Sequence, residues 1–140
     1  MAEDFVVSVI WLENYRFEAR ARDNVVYIDQ RKEEGGEGRG FKPTELLLSA
    51  LASCLMTNIV KILNFRKAKI LEFSGTAKVE KRKFTLSIFI RAVRNGVEID
   101  RSELEEILNA AMETCKISSM LREECEVLVE LLSSEEVKKS

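Results

Sequence analysis

An uncharged run of fifteen residues, Leu46 to Val60, constrains the fold of this chain more than any other feature. Leucine, alanine and methionine dominate the run, which favours helix over strand. Pro43 suits a first helical position, because the N–H that proline lacks has no partner there in any case. Apolar side chains fall on almost every face, so the sequence predicts a helix between Lys42 and Phe65 that is buried on most sides.

A polar line and a cysteine mark one side of this predicted helix. The polar residues recur every four positions: Glu45, Ser49, Ser53, Thr57 and Lys61. Cys54 comes three residues before Thr57 and seven before Lys61, so all three can share a helical face. A mid-helix thiol between apolar residues and a polar line is the candidate for chemistry in this chain.

Length and composition predict a single soluble domain spanning residues 1–140. The chain is 46% hydrophobic and 33% charged, which is typical of a globular protein with a densely charged surface. Its formal net charge is −2 and its basic residues form no extended cluster. We therefore expect no nucleic-acid partner, since nucleic-acid binding depends on such clusters.

The N-terminal sequence MAEDFVVSV lacks the basic segment and cleavage site of a signal peptide. The fifteen uncharged residues of the predicted helix fall short of the roughly 20 that cross a bilayer. We therefore expect a cytoplasmic protein without a membrane partner. Both expectations rest on the N-terminal sequence and on the length of the uncharged run.

The cysteines and the lack of histidine limit the possible chemistry. Cys54, Cys115 and Cys125 form no CxxC pair and no metal-binding spacing, so neither a metal nor another cofactor is expected. The chain has no histidine, which excludes the Ser-His-Asp triad and the Cys-His pair. A reactive cysteine here must be ionised by arginine, lysine or a helix terminus. Cys125 lies among glutamates and is expected to be structural.

Hydrophobic periodicity predicts the order βββ–α–ββ–α–β, an α+β fold. Asp100 is predicted to cap the second helix in a capping box with Glu103, and Ser118 or Ser119 to start a further helical turn. Trp11 is expected in the core. The predicted elements are strands at 4–12, 15–21 and 25–29, a flexible glycine-rich loop at 31–40, a helix at 43–65, strands at 70–79 and 83–93, a helix at 101–114, a strand at 126–132 and a polar tail at 133–140.

The central helix also predicts a dimer. It is hydrophobic on nearly all sides, and a chain of this length has too few other elements to surround it. A second copy of the chain related by a two-fold axis is the simplest way to bury the remaining faces.

Three motifs together resemble the OsmC/Ohr superfamily of osmotically inducible and organic hydroperoxide resistance proteins. They are GGEG in the loop, PTELLLSALASC at the start of the helix, and ETCKISSML about sixty residues later. The resemblance covers nearly the whole chain and implies an intertwined homodimer with two central helices at its middle. Two positions differ from the family pattern: Thr44 follows the proline where an acid is usual, and Lys116 follows Cys115 where proline is common.

The resemblance implies a cytoplasmic thiol peroxidase that reduces organic hydroperoxides in the response to oxidative stress. In this assignment Cys54 is the peroxidatic thiol and Cys115 the resolving thiol. Arg16 matches the arginine that stabilises the thiolate, and Glu45 stands near the acidic partner of that arginine. The implied partners are a small apolar hydroperoxide and an external dithiol that reduces the resulting disulfide.

The residues themselves allow an alternative role at each of these positions. Burial alone would raise the pKa of Cys54, so the thiol needs a nearby cation; Arg20 and Lys61 are rivals of Arg16 for that role. Glu45 could instead be a first-turn acid that favours the helix dipole. The alternative function is a non-catalytic dimer that binds a small apolar ligand, with Cys54 inert.

Hydrophobic walls around the thiol would suit an alkyl or lipid hydroperoxide. Leu47, Leu51 and Phe65 are the predicted wall residues, because they lie on the same helix as Cys54. The sequence therefore favours an organic peroxide over hydrogen peroxide as the substrate.

Overall fold

The computed structural model describes residues 5–138 and comprises two compact units, one ending at Leu47 and the other beginning at Leu48. The predicted α+β order is confirmed, with short additional elements. The strands are β1 (Ser8–Glu13), β2 (Arg16–Ala21), β3 (Asn24–Ile28), β4 (Lys69–Glu80), β5 (Lys83–Arg94), β6 (Val97–Glu98) and β7 (Glu126–Leu131). The helices are α1 (Pro43–Phe65), α2 (Arg101–Glu113), α3 (Lys116–Leu121) and α4 (Ser134–Lys138), with a 3-10 turn at Lys32–Glu34.

The first unit is an antiparallel three-stranded meander in the order β1-β2-β3, as predicted. Asn14 and Arg22 form the tight turns between the strands with positive φ angles of 49° and 56°. Asparagine tolerates this left-handed conformation well, whereas arginine adopts it at some cost. Of the described residues 5–47, Asp29 alone is buried.

Asp29 organises the glycine-rich loop that follows the meander. Its carboxylate accepts the backbone N–H groups of Gln30 (2.7 Å), Arg39 (3.1 Å) and Glu37 (3.3 Å). Gly36 packs so closely against this carboxylate that an added Cβ would lie 2.8 Å from Oδ1 and 2.2 Å from the Gln30 carbonyl oxygen. The loop is therefore held by a buried acid, an arrangement that the prediction of a flexible loop missed.

The second unit is a four-stranded sheet covered on one face by helices. The central strand β5 pairs antiparallel with β4 and β6 and parallel with β7. Its alternate residues are buried, which is the period-2 pattern of a strand with one covered face. These residues are Phe84, Leu86, Ile88, Ile90 and Ala92.

Helix α1 packs against this core through one stripe of side chains spaced four residues apart. Leu51, Leu55, Ile59 and Leu63 are completely buried. Gly75 of β4 permits the close approach, since a Cβ there would lie 2.9 Å from Cδ1 of Ile88 and 3.1 Å from the sulfur of Met56. Helix α2 contributes a matching stripe of buried residues, namely Leu104, Ile107, Leu108 and Ala111.

The bounds of α1 and α2 are confirmed, but within the described chain α1 is buried along one stripe of residues and not on most of its sides as predicted. The predictions for the later helical segments also need correction. The short helix α3 starts at Lys116 after Cys115, not at Ser118 or Ser119, and Ser118 is buried inside it. The predicted polar tail contains the short helix α4. The N–H of Ser133 donates to the Glu136 carboxylate and the N–H of Glu136 donates to the Ser133 hydroxyl, and these two hydrogen bonds cap the start of the helix. The rest of that tail, residues 139–140, and the start of the first predicted strand, residue 4, lie outside the described residues.

Two further predictions need correction, namely the burial of Trp11 and the capping box at the start of α2. Trp11 is 62% exposed, because no element of its unit covers the meander face that carries it. Asp100 caps α2 as predicted by accepting the N–H of Glu103 at 2.9 Å. The Glu103 carboxylate does not complete the capping box, since its two oxygens bind arginines instead.

Among the described residues, α1 is long and apolar enough to cross a membrane as judged by length and composition. Its most apolar 18-residue window has a mean hydropathy of 1.9 and is 22% buried. The whole helix of 23 residues is therefore long enough to cross a bilayer, whereas its uncharged run of fifteen residues was predicted to be too short. Core helices of soluble proteins pass the same test of length and composition but are mostly buried, and the exposed side of α1 carries the polar residues Ser53, Thr57 and Lys61.

Glu103 joins three elements of the second unit and predicts acid sensitivity. It binds Arg94 through two contacts of 2.8 Å and Arg66 at 3.1 Å, and these arginines lower its pKa from 4.5 to about 2. A depressed pKa stabilises the fold above the unfolded-state value, and this stability is lost as pH falls from about 4.5 toward 2.

We expect Glu103→Gln to lower the free energy of unfolding at pH 7. At pH 2–3 the free energy of unfolding of this variant should approach that of the wild type. Urea unfolding at both pH values measures this. The matched control is Glu106→Gln, on the same helix and 3.9 Å from the same Arg66 but 72% exposed, which should change little. Equal losses in the two variants at pH 7 would show that the Arg94 and Arg66 contacts do not stabilise the unit.

Candidate active site

Cys54 lies beside the buried stripe of α1. It directly precedes the fully buried Leu55 and follows Leu51 by three residues, so its side chain borders the core. The thiol is half-buried and packs against the core cluster. This position leaves the sulfur near the surface with apolar residues on one side.

Cys115 occupies the turn between α2 and α3. It is completely buried, has an extended backbone (φ −75°, ψ 111°) and precedes the first residue of α3. The buried Ser118 donates its hydroxyl hydrogen to the Cys115 carbonyl at 3.2 Å. The local structure therefore fixes both the backbone and the surroundings of the second thiol.

Asn58 ties this turn to α1. Its side-chain amide donates to the carbonyl of Ala111 and to the hydroxyl of Thr114, both at 3.2 Å. Asn58 lies four residues after Cys54, one helical turn along the same face. The contact thus holds the end of α2 against the part of α1 that carries Cys54.

The two predicted thiols are brought together by this arrangement. Burial is the largest single influence on the Cys54 thiol and opposes its ionisation. The backbone N–H of Ile117, the thiol of Cys115, and the N–H and charge of Lys116 together outweigh burial. The pKa of Cys54 therefore lies below its usual value, and its sulfur is the better nucleophile.

The pKa of Cys115 is shifted in the opposite direction. Burial raises the pKa of its thiol, and the neighbouring Cys54 sulfur raises it further, while the N–H and hydroxyl of Ser118 offset only part of the increase. The pKa values of the two thiols are therefore shifted in opposite directions, and Cys54 loses its proton more readily than Cys115. Two neighbouring thiols of this kind can condense to a disulfide after one sulfur is oxidised.

Arg16, the predicted activating arginine, begins β2 in the first unit. Its Nη1 lies 3.3 Å from Oε1 of Glu13 and 4.0 Å from Oε2 of Glu37. Its charge also contributes, after backbone hydrogen bonds, to the lowered pKa of Asp29. The rival Arg20 pairs with Glu18 at 2.7 Å in the same unit. Cys54 belongs to the second unit, so an approach of either arginine to it stays a prediction.

The other predicted residues have separate surroundings. Glu45 accepts the backbone N–H of Lys42 at 2.8 Å, as expected of a first-turn acid that stabilises the start of α1. Lys61, the remaining rival cation, is exposed. Among the described residues, no group of three or more histidines, cysteines or acids could hold a metal ion.

The predicted hydrophobic wall is only partly where it was expected. Leu51 lies inside the core with no exposed surface, so it cannot face a substrate. Phe65, at the end of α1, is 88% exposed, and Leu47 is 39% exposed. Ile117, which follows Cys115 by two residues, is half-buried and packs against the core cluster.

Sequence reasoning missed Lys116, Ile117 and Asn58. A signal for Lys116 was present, since it stands directly after Cys115 where the resembled family commonly has proline. Asn58 gave no comparable signal, because its partners are 53 and 56 residues away in the chain. Only the packing of α2 on α1 reveals its role.

A long helix that carries Cys54 and packs on a four-stranded sheet places the chain in the α+β class. The family model for OsmC-like proteins matches residues 36–130, which include both cysteines of the pair. The chain therefore belongs to the OsmC-like protein family, as its motifs predicted.

Solved structures confirm the fold at low sequence identity. An OsmC-like protein of unknown function from Vibrio cholerae is 16% identical with a TM-score of 0.81, covering 94% of this chain and 100% of that one. An OsmC-like protein from Mycoplasma pneumoniae is 16% identical with a TM-score of 0.77, covering 94% and 98%. An organic hydroperoxide resistance protein OsmC from Legionella pneumophila is 21% identical with a TM-score of 0.65, covering 95% and 99%. The comparison with curated proteins found no match.

Proposed function

We propose that this protein is a thiol-dependent peroxidase that reduces organic hydroperoxides. The observation that carries the proposal is the pair of neighbouring thiols, Cys54 at the border of the core with a lowered pKa and the fully buried Cys115 with a raised pKa. Membership of the OsmC-like family is consistent with this chemistry.

The proposed reaction has three balanced steps. The Cys54 thiolate attacks the terminal oxygen of R–OOH, the O–O bond breaks, and the alkoxide leaves and takes a proton to become the alcohol. Cys54 is then a sulfenic acid, and the Cys115 sulfur displaces its hydroxyl as water to form a disulfide. An external dithiol reduces this disulfide by exchange and is itself oxidised to a disulfide.

Arg16 and Glu45 enter the proposal only through the resemblance. In that assignment the Arg16 guanidinium stabilises charge on Cys54 or on the departing oxygen. Its ion pairs with Glu13 and Glu37 show that acids already position this side chain. The Glu45 carboxylate is assigned to the same charge network, in addition to its contact with the N–H of Lys42.

We also propose that the protein acts as a homodimer. The meander exposes large apolar side chains that no part of its own unit covers, and a three-stranded sheet needs a packed face to be stable. The most exposed large apolar residues of its strands are Val9 (58%), Ile10 (49%) and Trp11 (62%). A second copy that covers them is expected to give twice the chain mass in sedimentation velocity, and a monomer at micromolar concentration would refute the dimer.

A peroxide-consumption assay tests the function. With a dithiol reductant, the protein is expected to consume cumene hydroperoxide at least about tenfold faster than hydrogen peroxide, because the half-buried Cys54 borders the apolar core cluster. Consumption of neither peroxide, together with binding of a small apolar ligand, would favour the non-catalytic alternative. A preference for hydrogen peroxide would contradict the assigned substrate class.

A further inference from the structure

Helix α2 ends in a way that leaves one buried carbonyl without its helical partner. In a continuing α-helix the N–H of Cys115 would bond to the carbonyl of Ala111, four residues back. It bonds instead to the carbonyl of Met112 at 3.2 Å, and the backbone of Cys115 is extended. Ala111 is completely buried, so its carbonyl needs another donor.

The side chain of Asn58 in α1 supplies such a donor. Its amide donates to the Ala111 carbonyl and to the Thr114 hydroxyl, both at 3.2 Å. The Thr114 hydroxyl in turn donates to the Ala111 carbonyl at 3.3 Å, which closes a ring of three hydrogen bonds. One half-buried side chain of α1 therefore completes the end of α2 at the residue before Cys115.

This ring of hydrogen bonds lies close to both cysteines of the proposed reaction. Cys54 precedes Asn58 by four residues, which is one helical turn on the same face of α1. Cys115 directly follows Thr114 and belongs to the buried core cluster, against which Cys54 packs. The Asn58 contact therefore sets the position of the second thiol relative to the part of α1 that carries the first.

We propose that Asn58 is a positioning residue for disulfide formation, which holds the α2–α3 turn so that Cys115 reaches the oxidised Cys54. The inference rests on the proposed roles of the two cysteines. In this step the Cys115 sulfur forms the S–S bond, and the sulfenic hydroxyl of Cys54 leaves as water with the Cys115 proton. Asn58 has no part in the earlier attack on the peroxide, so its loss should slow the second step and spare the first.

Two substitutions remove the contact in different degrees. Asn58→Leu keeps nearly the same size and removes both donated hydrogen bonds. The Thr114 hydroxyl still donates to the Ala111 carbonyl in this variant, so the end of α2 should persist. Thr114→Val keeps the branched shape and removes one of the two acceptors of Asn58, and it decides the question if Asn58→Leu does not fold.

Arg66→Met is the matched control. Arg66 directly follows α1 and binds Glu103 near the start of α2 at 3.1 Å. Its replacement removes a polar contact to the same helix at the end far from Cys115. This variant should lose stability without a change in disulfide formation.

The first measurement is a single turnover with one equivalent of cumene hydroperoxide, stopped by acid at successive times. Mass spectrometry quantifies the Cys54–Cys115 disulfide, and parallel samples contain dimedone, which traps sulfenic acids. We expect Asn58→Leu to form the disulfide roughly tenfold more slowly and to accumulate the Cys54 adduct, since small displacements of reacting groups have effects of this size or larger. Thr114→Val should show a smaller change in the same direction, and Arg66→Met should match wild type.

The second measurement does not depend on peroxidase activity. Oxidised glutathione converts the two protein thiols into a disulfide and is itself reduced to two molecules of glutathione, so the equilibrium reports how readily the thiols meet. For half-oxidation we expect Asn58→Leu to need a roughly tenfold higher ratio of oxidised to squared reduced glutathione than wild type. Arg66→Met should be oxidised like wild type.

Wild-type disulfide formation in Thr114→Val and in folded Asn58→Leu would overturn the proposal. An equal loss in Arg66→Met would overturn it too, because that result indicates a general loosening of α2. So would the absence of a Cys54–Cys115 disulfide in wild-type protein under oxidising glutathione, since the thiols would then not be held within reach. If the disulfide forms with glutathione but not with cumene hydroperoxide, only the proposed function fails, and the glutathione equilibria of the variants decide the role of Asn58.

Discussion

Cys54→Ser is expected to reduce peroxide consumption to the background rate of the reductant alone. Serine has nearly the same shape, but its hydroxyl does not ionise near neutral pH and forms no sulfenic acid. Because Cys54 is half-buried at the border of the core, this substitution should leave the fold and the proposed dimer unchanged. A peroxide assay with cumene hydroperoxide, accompanied by sedimentation velocity, measures both properties.

Cys125→Ser is the matched control for this prediction. Cys125 is also half-buried against the core, and it comes just before β7, outside the pair formed by Cys54 and Cys115. Its replacement should leave the rate of peroxide consumption unchanged. Retained turnover in Cys54→Ser would remove Cys54 from the mechanism, and loss in both variants would point to damage of the fold.

Cys115→Ser is expected to separate the first chemical step from recycling. A serine hydroxyl can still donate to the Cys54 sulfur, so the first attack on the peroxide should proceed. Without the second thiol, the sulfenic acid cannot condense to an intramolecular disulfide. About one equivalent of peroxide per chain should be consumed rapidly, followed by slow turnover.

Trapping with dimedone measures this state, since dimedone adds to sulfenic acids. The Cys54 peptide of Cys115→Ser should carry the dimedone adduct, whereas wild-type protein should carry little of it. Turnover of Cys115→Ser at the wild-type rate would contradict the resolving role of Cys115. Such a result would mean that the external thiol reacts directly with the oxidised Cys54.

The predictable parts of this fold are those set by local patterns. The bounds of α1 follow from Pro43 at its start and from an apolar run whose four-residue spacing matches the buried stripe from Leu51 to Leu63. The alternation in β5 similarly predicts one buried face. In these segments local preference and tertiary packing agree, which is why sequence alone identifies them.

The site could be predicted only in part. The cysteines were identified by motif and position, and their contact is consistent with the resemblance. The lowered pKa of Cys54 depends instead on how the α2–α3 turn packs against α1, where Asn58 contacts residues more than fifty positions away in the chain. Such long-range contacts leave no periodic trace in the sequence. The search for a cation near Cys54 therefore turned to Arg16, Arg20 and Lys61 and missed Lys116.

A titration of the native thiols tests the central claim most directly. Reduced protein is treated with one equivalent of cumene hydroperoxide, the remaining thiols are counted, and disulfide-linked peptides are identified by mass spectrometry. The account predicts the loss of two thiols per chain, a link between Cys54 and Cys115, and a free Cys125. If all three thiols survive, or if Cys125 alone reacts, the pair at the α2–α3 turn is not a peroxide-reducing dithiol.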